Sequence, residues 1–368
     1  MKLEASILSK LENSFATQKD FDVIGTEVLN VLNNASLFKA LMPVPLGGKE
    51  SCLADFSKII ENVVKVDGST GWCLMIGATL NGAVCAYASD EAVDTIFGQV
   101  SKEAFSSIIA GQSSPRAQVK KVKSGLIISG NFKCGSGINH ANWIICGFIH
   151  PSHGQHCLGI IPKNNIRLKG GWNTIGLTGS GSLDYEIDEC LITDDFIFLH
   201  DCRTPIRGGN TFFCGLVTVM LSGHIGIALG LADQALTELE RLTKIERVSG
   251  RLIDRDDFLI GLGRNKTSLY GAKAYAAKSL TSLDKVIDHQ GTENQHIDSI
   301  RLAAIHATET ARSVIRFSYD YAGMSPIQND HKLNVIFRDF HVANQHLLVN
   351  SFQYKSIIKK MIEENYDI

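Results

Sequence analysis

The hydrophobic period of this chain changes twice, and that change constrains the fold more than any single motif. Through the first hundred residues apolar positions recur every three or four residues. Leu3, Ile7, Leu8 and Leu11 do so, then Val23, Ile24, Val28, Leu29 and Leu32, then Phe56, Ile59, Ile60 and Val63. This is the period of amphipathic helices. From about Ala104 to Leu199 the apolar runs become short and β-branched: Ser106 to Ala110, Leu126 to Ser129, Trp143 to Phe148 and Leu158 to Ile161. Turn signals such as Lys123-Ser124-Gly125 separate them, which predicts an antiparallel β domain. After Gly209 the helical period returns, with long helices near 212–247, 256–289, 294–322 and 332–363. The breakers are Ser249-Gly250, Gln290-Gly291-Thr292 and Gly323-Met324-Ser325-Pro326. Four long helices with short connections predict a bundle. The expected fold is therefore α+β: an N-terminal helical domain over 1–103, a β domain over 104–208 and a C-terminal four-helix bundle over 209–368.

Composition narrows what such a fold can do. Thirty-six Lys and Arg against 38 Asp and Glu leave a net charge of −2, which gives no bulk attraction to nucleic acid or anionic membrane. Nine cysteines, an odd number without a CxxC pair, fit reduced thiols. The first residues carry Glu4 and Glu12 within an amphipathic pattern, unlike a secretory signal, so a cytoplasmic location is expected. The charge-free runs Gly68 to Ser89 and Gly208 to Ala232 are long enough to span a bilayer. Both are diluted with Gly, Ser, Thr and Asn and lack flanking basic clusters, so they read as buried core helices. His150, His153 and His156 straddle a Pro/Gly turn with no carboxylate close by, and no metal is expected there.

Three segments could carry chemistry. Ser129 to Trp143 leads a strand into a Gly/Ser turn, where Gly135, Ser136 and Gly137 let backbone approach a flat ligand. Gly171 to Ser182 is glycine-rich but precedes a strand and lacks the P-loop lysine, so it is neither a P-loop nor a Rossmann fingerprint. Phe337 to His346 places Asp339 and His346 seven apart, two turns along one face of the expected last helix, where His346 can act as acid, base or hydrogen-bond donor. Read alone, these are also an ordinary hairpin, an ordinary loop and a half-exposed histidine. His224, inside an apolar helix, reads as a core histidine.

Taken in order, the three segments resemble the acyl-CoA dehydrogenase superfamily, and more narrowly the oxygenase components of two-component flavin monooxygenases. The SG…HA.W pattern is met by Ser136, Gly137, His140, Ala141 and Trp143. The W…GL.G(T/S)GS pattern is met by Trp172, Gly176, Leu177, Gly179, Ser180, Gly181 and Ser182. The RD……H pattern is met by Arg338, Asp339 and His346. The resemblance implies reduced flavin, FAD or FMN, lying between the β domain and the bundle, with O2 as co-substrate adding at flavin C4a. It places Cys134, Gly135, Ser136, Trp143, Ser180, Gly181 and Ser182 at the flavin. Arg247 would reach a flavin phosphate across a subunit interface, in a segment one residue short that lacks the family's Phe. His346 and Ser136 become the catalytic pair that stabilises the C4a-hydroperoxyflavin, and Trp72, Asn81 and His140 the substrate contacts. The implied partners are an NAD(P)H-dependent flavin reductase, a small nucleophilic substrate and further copies of the chain in a homotetramer.

The branch is read from charge. Dehydrogenases of this superfamily need a carboxylate to remove the proton α to a thioester, and many carry it after the RD motif. Here no Asp or Glu follows Asp339 until Glu363, and His346 stands where a donor to a peroxide is wanted. The helix containing Trp72 lacks the second histidine that aromatic-hydroxylating relatives often carry, and Asn81 is its nearest polar candidate. That absence shifts weight from phenols toward N- or S-oxygenation. An acyl-CoA dehydrogenase with a relocated base, or a non-catalytic scaffold, remains the alternative.

Overall fold

The computed structural model describes residues 3–18, 22–98, 107–247, 250–287 and 294–367. Helices α1 (Ala5–Ala16), α2 (Thr26–Asn34), α3 (Leu53–Val64), α4 (Gly68–Tyr87) and the short α5 (Asp90–Val93) come first. Asp67 caps α4 by accepting the Thr70 N–H at 2.6 Å. Apart from Ile76, every residue of α4 is buried, which is the reason its sequence shows almost no polar face. The apolar run after Gly208 behaves alike. It forms α6 (Leu216–Arg241), a helix long and apolar enough to cross a membrane, yet 83% of its most apolar window is buried inside the protein.

The middle of the chain forms seven strands: β1 (Ile109–Val122), β2 (Gly125–Gly135), β3 (Trp143–Ile149), β4 (His156–Pro162), β5 (Ile166–Lys169), β6 (Leu183–Ile192) and β7 (Ile197–Leu199). Their order is β5-β6-β2-β1-β3-β4-β7. One pairing departs from the antiparallel expectation: β1 and β3 run parallel. The turn after β2 brings the chain back to the start of β1, where Asn142 and Trp143 donate to the Ile108 carbonyl, so β3 enters in the same direction as β1. Register shifts flank Pro115, which has no N–H to give the ladder. The strand expected from Ser106 begins at Ile109, and Ser106 itself lies outside the described residues, as does the 103/104 domain boundary.

The C-terminal part contains α6, α7 (Asp256–Val286), α8 (Asn294–Ala322), α9 (Lys332–Ala343) and α10 (Gln353–Glu364). Helix α8 packs on α6, α7, α9 and α10, while α6 also receives α3 and α4. The breaker at Gln290 to Thr292 and Ser249 lie outside the described residues. The single helix expected over 332–363 is two helices, which corrects the shared helical face of Asp339 and His346. No glycine or proline marks the break. Instead the His346 imidazole accepts the Leu348 N–H and Asn350 accepts the Phe352 N–H, so side chains replace helical carbonyl partners.

Glycines set the closest helix contacts. A Cβ on Gly226 of α6 would stand 2.4 Å from the Ser57 carbonyl oxygen of α3, and one on Gly223 would stand 2.5 Å from Met75 Cγ of α4. We expect Gly226→Ala to cost about 1–3 kcal/mol, because backbone has to move to admit one methyl group. Urea unfolding checks this: the midpoint falls while the slope stays unchanged.

Candidate active site

Asp339 joins three parts of the chain. It sits in α9, fully enclosed, and its Oδ1 accepts the Leu177 N–H at 2.6 Å. Its Oδ2 faces the first residue of α4, where a Cβ on Gly68 would stand 2.4 Å away. Gly176 lies against α9 so closely that a Cβ there would be 2.3 Å from the Arg338 carbonyl carbon. Leu177 has φ +49°, a left-handed conformation costly for a branched-chain residue. Two bonds hold it there, the one from its N–H to Asp339 and one from the Trp172 indole to its carbonyl at 2.9 Å. The glycine-rich loop is thereby pinned between α4 and α9.

The pinned loop delivers a chain of hydroxyls. Ser180 and Ser182 Oγ atoms lie 2.8 Å apart, and Ser182 Oγ is 2.8 Å from Ser136 Oγ. The Trp72 indole N–H donates to Ser136 Oγ at 3.0 Å. Backbone bonds tie the two loops, since Gly137 N–H donates to the Ser180 carbonyl at 3.0 Å. Gly181, at φ +50°, packs on the Asn139 amide.

Beyond Trp72 stand two imidazoles. The ring centroid of His224, from α6, is 5.4 Å from that of Trp72, and the ring of His346 is 5.9 Å away, both edge-on. The two imidazoles are 4.4 Å apart, tilted by 39°. Burial lowers His346 to about 4 and holds His224 well below the usual histidine range, with the neighbouring imidazole adding to the latter. Both rings are neutral at physiological pH. The Leu348 N–H uses Nδ1 of His346, leaving its Nε2 to carry the hydrogen. The Nε2 of His224 is buried without a partner, a state costing about 1–3 kcal/mol in an ordinary core.

Several expected site residues sit elsewhere. Asn81 is fully buried: its amide donates to the Phe38 and Ser107 carbonyls, and its oxygen accepts the Ile109 N–H. It clamps α4 to the start of β1, which corrects its reading as a substrate contact, since both its amide hydrogens are spent on backbone. Trp143 stacks on Phe196 at 6.0 Å; among the described residues no hydrogen bond or ring contact joins it to the Trp72 cluster. Arg247 donates to the Tyr321 carbonyl at 3.0 Å, near the end of α8. Cys134 has φ +58° and an exposed side chain at the end of β2; burial and the Asp184 carboxylate raise its thiol. Gly135 is buried beside Tyr185. His140 follows the Ser136 turn, with a buried, unpartnered Nε2 and an imidazole lowered to about 4 by burial. His224 is the site residue that sequence reasoning missed. Its only signal is a titratable residue inside a Gly-flanked apolar helix.

His150 and His153 stack at 3.9 Å while His156 turns to the Ser113 carbonyl. Among the described residues no group of three or more His, Cys, Asp or Glu stands together as a metal site.

Known proteins resemble this chain over nearly its whole length. Residues 222–351 match the family described as acyl-CoA dehydrogenase, C-terminal domain. The chain is 26% identical over 350 residues to the indole-3-acetate monooxygenase of Pseudomonas putida, covering 90% of this chain and 86% of that one. It is 20% identical over 359 residues to the p-hydroxyphenylacetate 3-hydroxylase oxygenase component of Acinetobacter baumannii, covering 92% and 83%. The structure of XiaF from Streptomyces sp. in complex with FADH2 and glycerol superposes with a TM-score of 0.85 at 16% identity, over 96% of this chain and 91% of that one.

Asp339 generates a pH prediction. Burial, then the nearby Asp67 carboxylate, raises it to about 7. A carboxyl whose folded pKa exceeds its unfolded value stabilises most when protonated. Its contribution is full below about pH 4 and is lost as pH rises to about 7. Asp67, raised in the same direction by burial, adds to the slope. We expect Asp339→Asn to flatten the decline in unfolding free energy between pH 4 and 7, measured by urea denaturation across that range.

Proposed function

We propose that this acyl-CoA dehydrogenase-like chain is the oxygenase component of a two-component flavin-dependent monooxygenase, working with a separate NAD(P)H-dependent flavin reductase. The observation that supports it is the convergence of hydroxyls and neutral imidazoles, from Ser136, Ser182, His224 and His346, around Trp72. The buried carboxylates at this junction, Asp67 and Asp339, are turned to backbone N–H groups of Thr70 and Leu177. A dehydrogenase base would have to be a carboxylate free to reach substrate.

The residues present fit a flavin ring. The Ser136 and Ser180–Ser182 loops offer small side chains and hydroxyls, and His140 keeps a buried nitrogen without a partner. Reduced flavin, when bound, supplies two electrons to O2, so that one oxygen atom enters the substrate and the other leaves as water. The protein's own part is electrostatic. Trp72 occupies one lone pair of Ser136, and Ser182 orients that hydroxyl from its other side. His346 holds its hydrogen at Nε2 and presents it as a neutral donor, which stabilises developing negative charge on oxygen without releasing a proton to it. The enclosing Trp72 and α4 exclude water.

The substrate is a small nucleophilic molecule oxygenated at N, S or aromatic carbon. The P. putida relative's name points to an aromatic one. A cytoplasmic homotetramer completes the proposal. In that assembly Arg247 meets the flavin phosphate of a neighbour, where its guanidinium can fork onto two oxygens.

The test follows flavin reoxidation. Photoreduced FMN or FAD is mixed with O2 with and without the chain. We expect the chain to delay reoxidation of at least one of them, and His346→Ala to shorten that delay by about 10²-fold. Unchanged reoxidation of both flavins overturns the reading.

A further inference from the structure

The sequence offers no second histidine on α4, and the structure supplies one from another helix. His224 stands in the N-terminal half of α6, in the run Ser222-Gly223-His224-Ile225-Gly226. The flanking glycines seat α6 directly on Met75 of α4 and Ser57 of α3, and the His224 side chain beside them meets Trp72. There its ring lies 4.4 Å from His346 and 5.4 Å from Trp72. Its Nε2 is buried and makes no hydrogen bond. Ser136 Oγ, Ser182 Oγ, Trp72 Nε1 and His346 Nδ1, by contrast, all have protein partners, and the remaining nitrogen, His346 Nε2, is the donor assigned above to oxygen. A core position filled for packing alone would take leucine or phenylalanine. An unpaired nitrogen kept beside a flat indole marks a place where a ligand completes the bonding.

We propose that His224 is the specificity-determining residue of the oxygenation site, accepting a hydrogen bond from the ring N–H or O–H of a flat aromatic substrate held against Trp72. The proposal rests on the monooxygenase reading and deepens it. It moves the second histidine from α4 to α6, and with it returns aromatic rings bearing an acidic hydrogen to the substrates this chain takes. A neutral imidazole suits that task. It accepts through the unprotonated nitrogen and draws electron density into the ring as the hydrogen is shared, which makes the ring carbon a better nucleophile toward oxygen. The hydrogen stays between substrate and imidazole until the ring is oxygenated, so no further acid or base is required at this atom.

The test uses two ligands that differ by one hydrogen-bond donor: indole-3-acetate and benzofuran-3-acetate, in which oxygen replaces the ring N–H. Binding is measured on the full chain by calorimetry, first without flavin and then anaerobically with reduced FMN. Wild type is expected to prefer the indole by about tenfold or more, because a site with an unpaired acceptor rejects the analogue that leaves it unpaired. His224→Leu should abolish the preference by weakening the indole alone, with benzofuran binding unchanged. His224→Gln, which keeps an acceptor, should restore part of it. Thermal melts check folding, and the leucine variant is expected to melt no lower than wild type because it buries no unpaired nitrogen. A preference that survives His224→Leu, or the binding of neither ligand to wild type under either condition, overturns the assignment. The delay in flavin reoxidation reports separately on the monooxygenase reading. Because that delay is read on the wild-type chain without any aromatic ligand, the two can fail independently.

Discussion

The bond from the Leu177 N–H to the buried carboxyl of Asp339 governs the geometry of everything around it. It joins the β domain to α9, and it does so against the first turn of α4, where Gly68 leaves room for the carboxyl. A carboxylate enclosed in protein and facing Asp67 is expensive to ionise, so it is raised to about 7. That cost is tolerated because Leu177 is otherwise in a backbone conformation it would leave. Release of the bond frees the loop that carries Ser180 and Ser182, and the hydroxyl chain to Ser136 and Trp72 then loses its anchor.

The neutrality of the site follows from the same enclosure. Burial lowers His140 and His346 to about 4 and holds His224 well below the usual histidine range. Charged imidazoles would repel one another at this spacing and would need counter-charges that the loops do not provide. Neutral rings and hydroxyls instead form a set of dipoles that can face a flavin and a flat substrate without strong fixed charge. This is the arrangement expected where negative charge develops transiently on oxygen and must be met by donors already in place.

Much of the fold was legible because burial patterns leave a period in the sequence. The helices α1 to α4, the strands β2, β3 and β4 and the helices α6 to α8 lie near the places that apolar spacing indicated. The misreadings share a cause. Parallel pairing of β1 with β3 depends on where the chain returns after a turn, which spacing does not encode. The break between α9 and α10 is made by His346 and Asn350 taking over backbone N–H groups, with no glycine or proline to announce it. Asn81 looked like a polar side chain offered to substrate, but the start of β1 arrives beside it and consumes its amide.

The sequence by itself determined the order of helices, strands and helices, the nearly balanced charge, and the serine, glycine and histidine motifs that resemble those of flavin-dependent monooxygenases. Those properties are local or additive, so they survive in one dimension. Only the tertiary structure decided which residues meet. Residues 72, 136, 182, 224 and 346 come from five separate stretches, and their convergence is set by glycine-permitted close contacts and by one buried carboxyl. His224 shows the difference most plainly: in sequence it is one polar residue in an apolar helix, and in space it is the unpaired nitrogen beside Trp72 and His346.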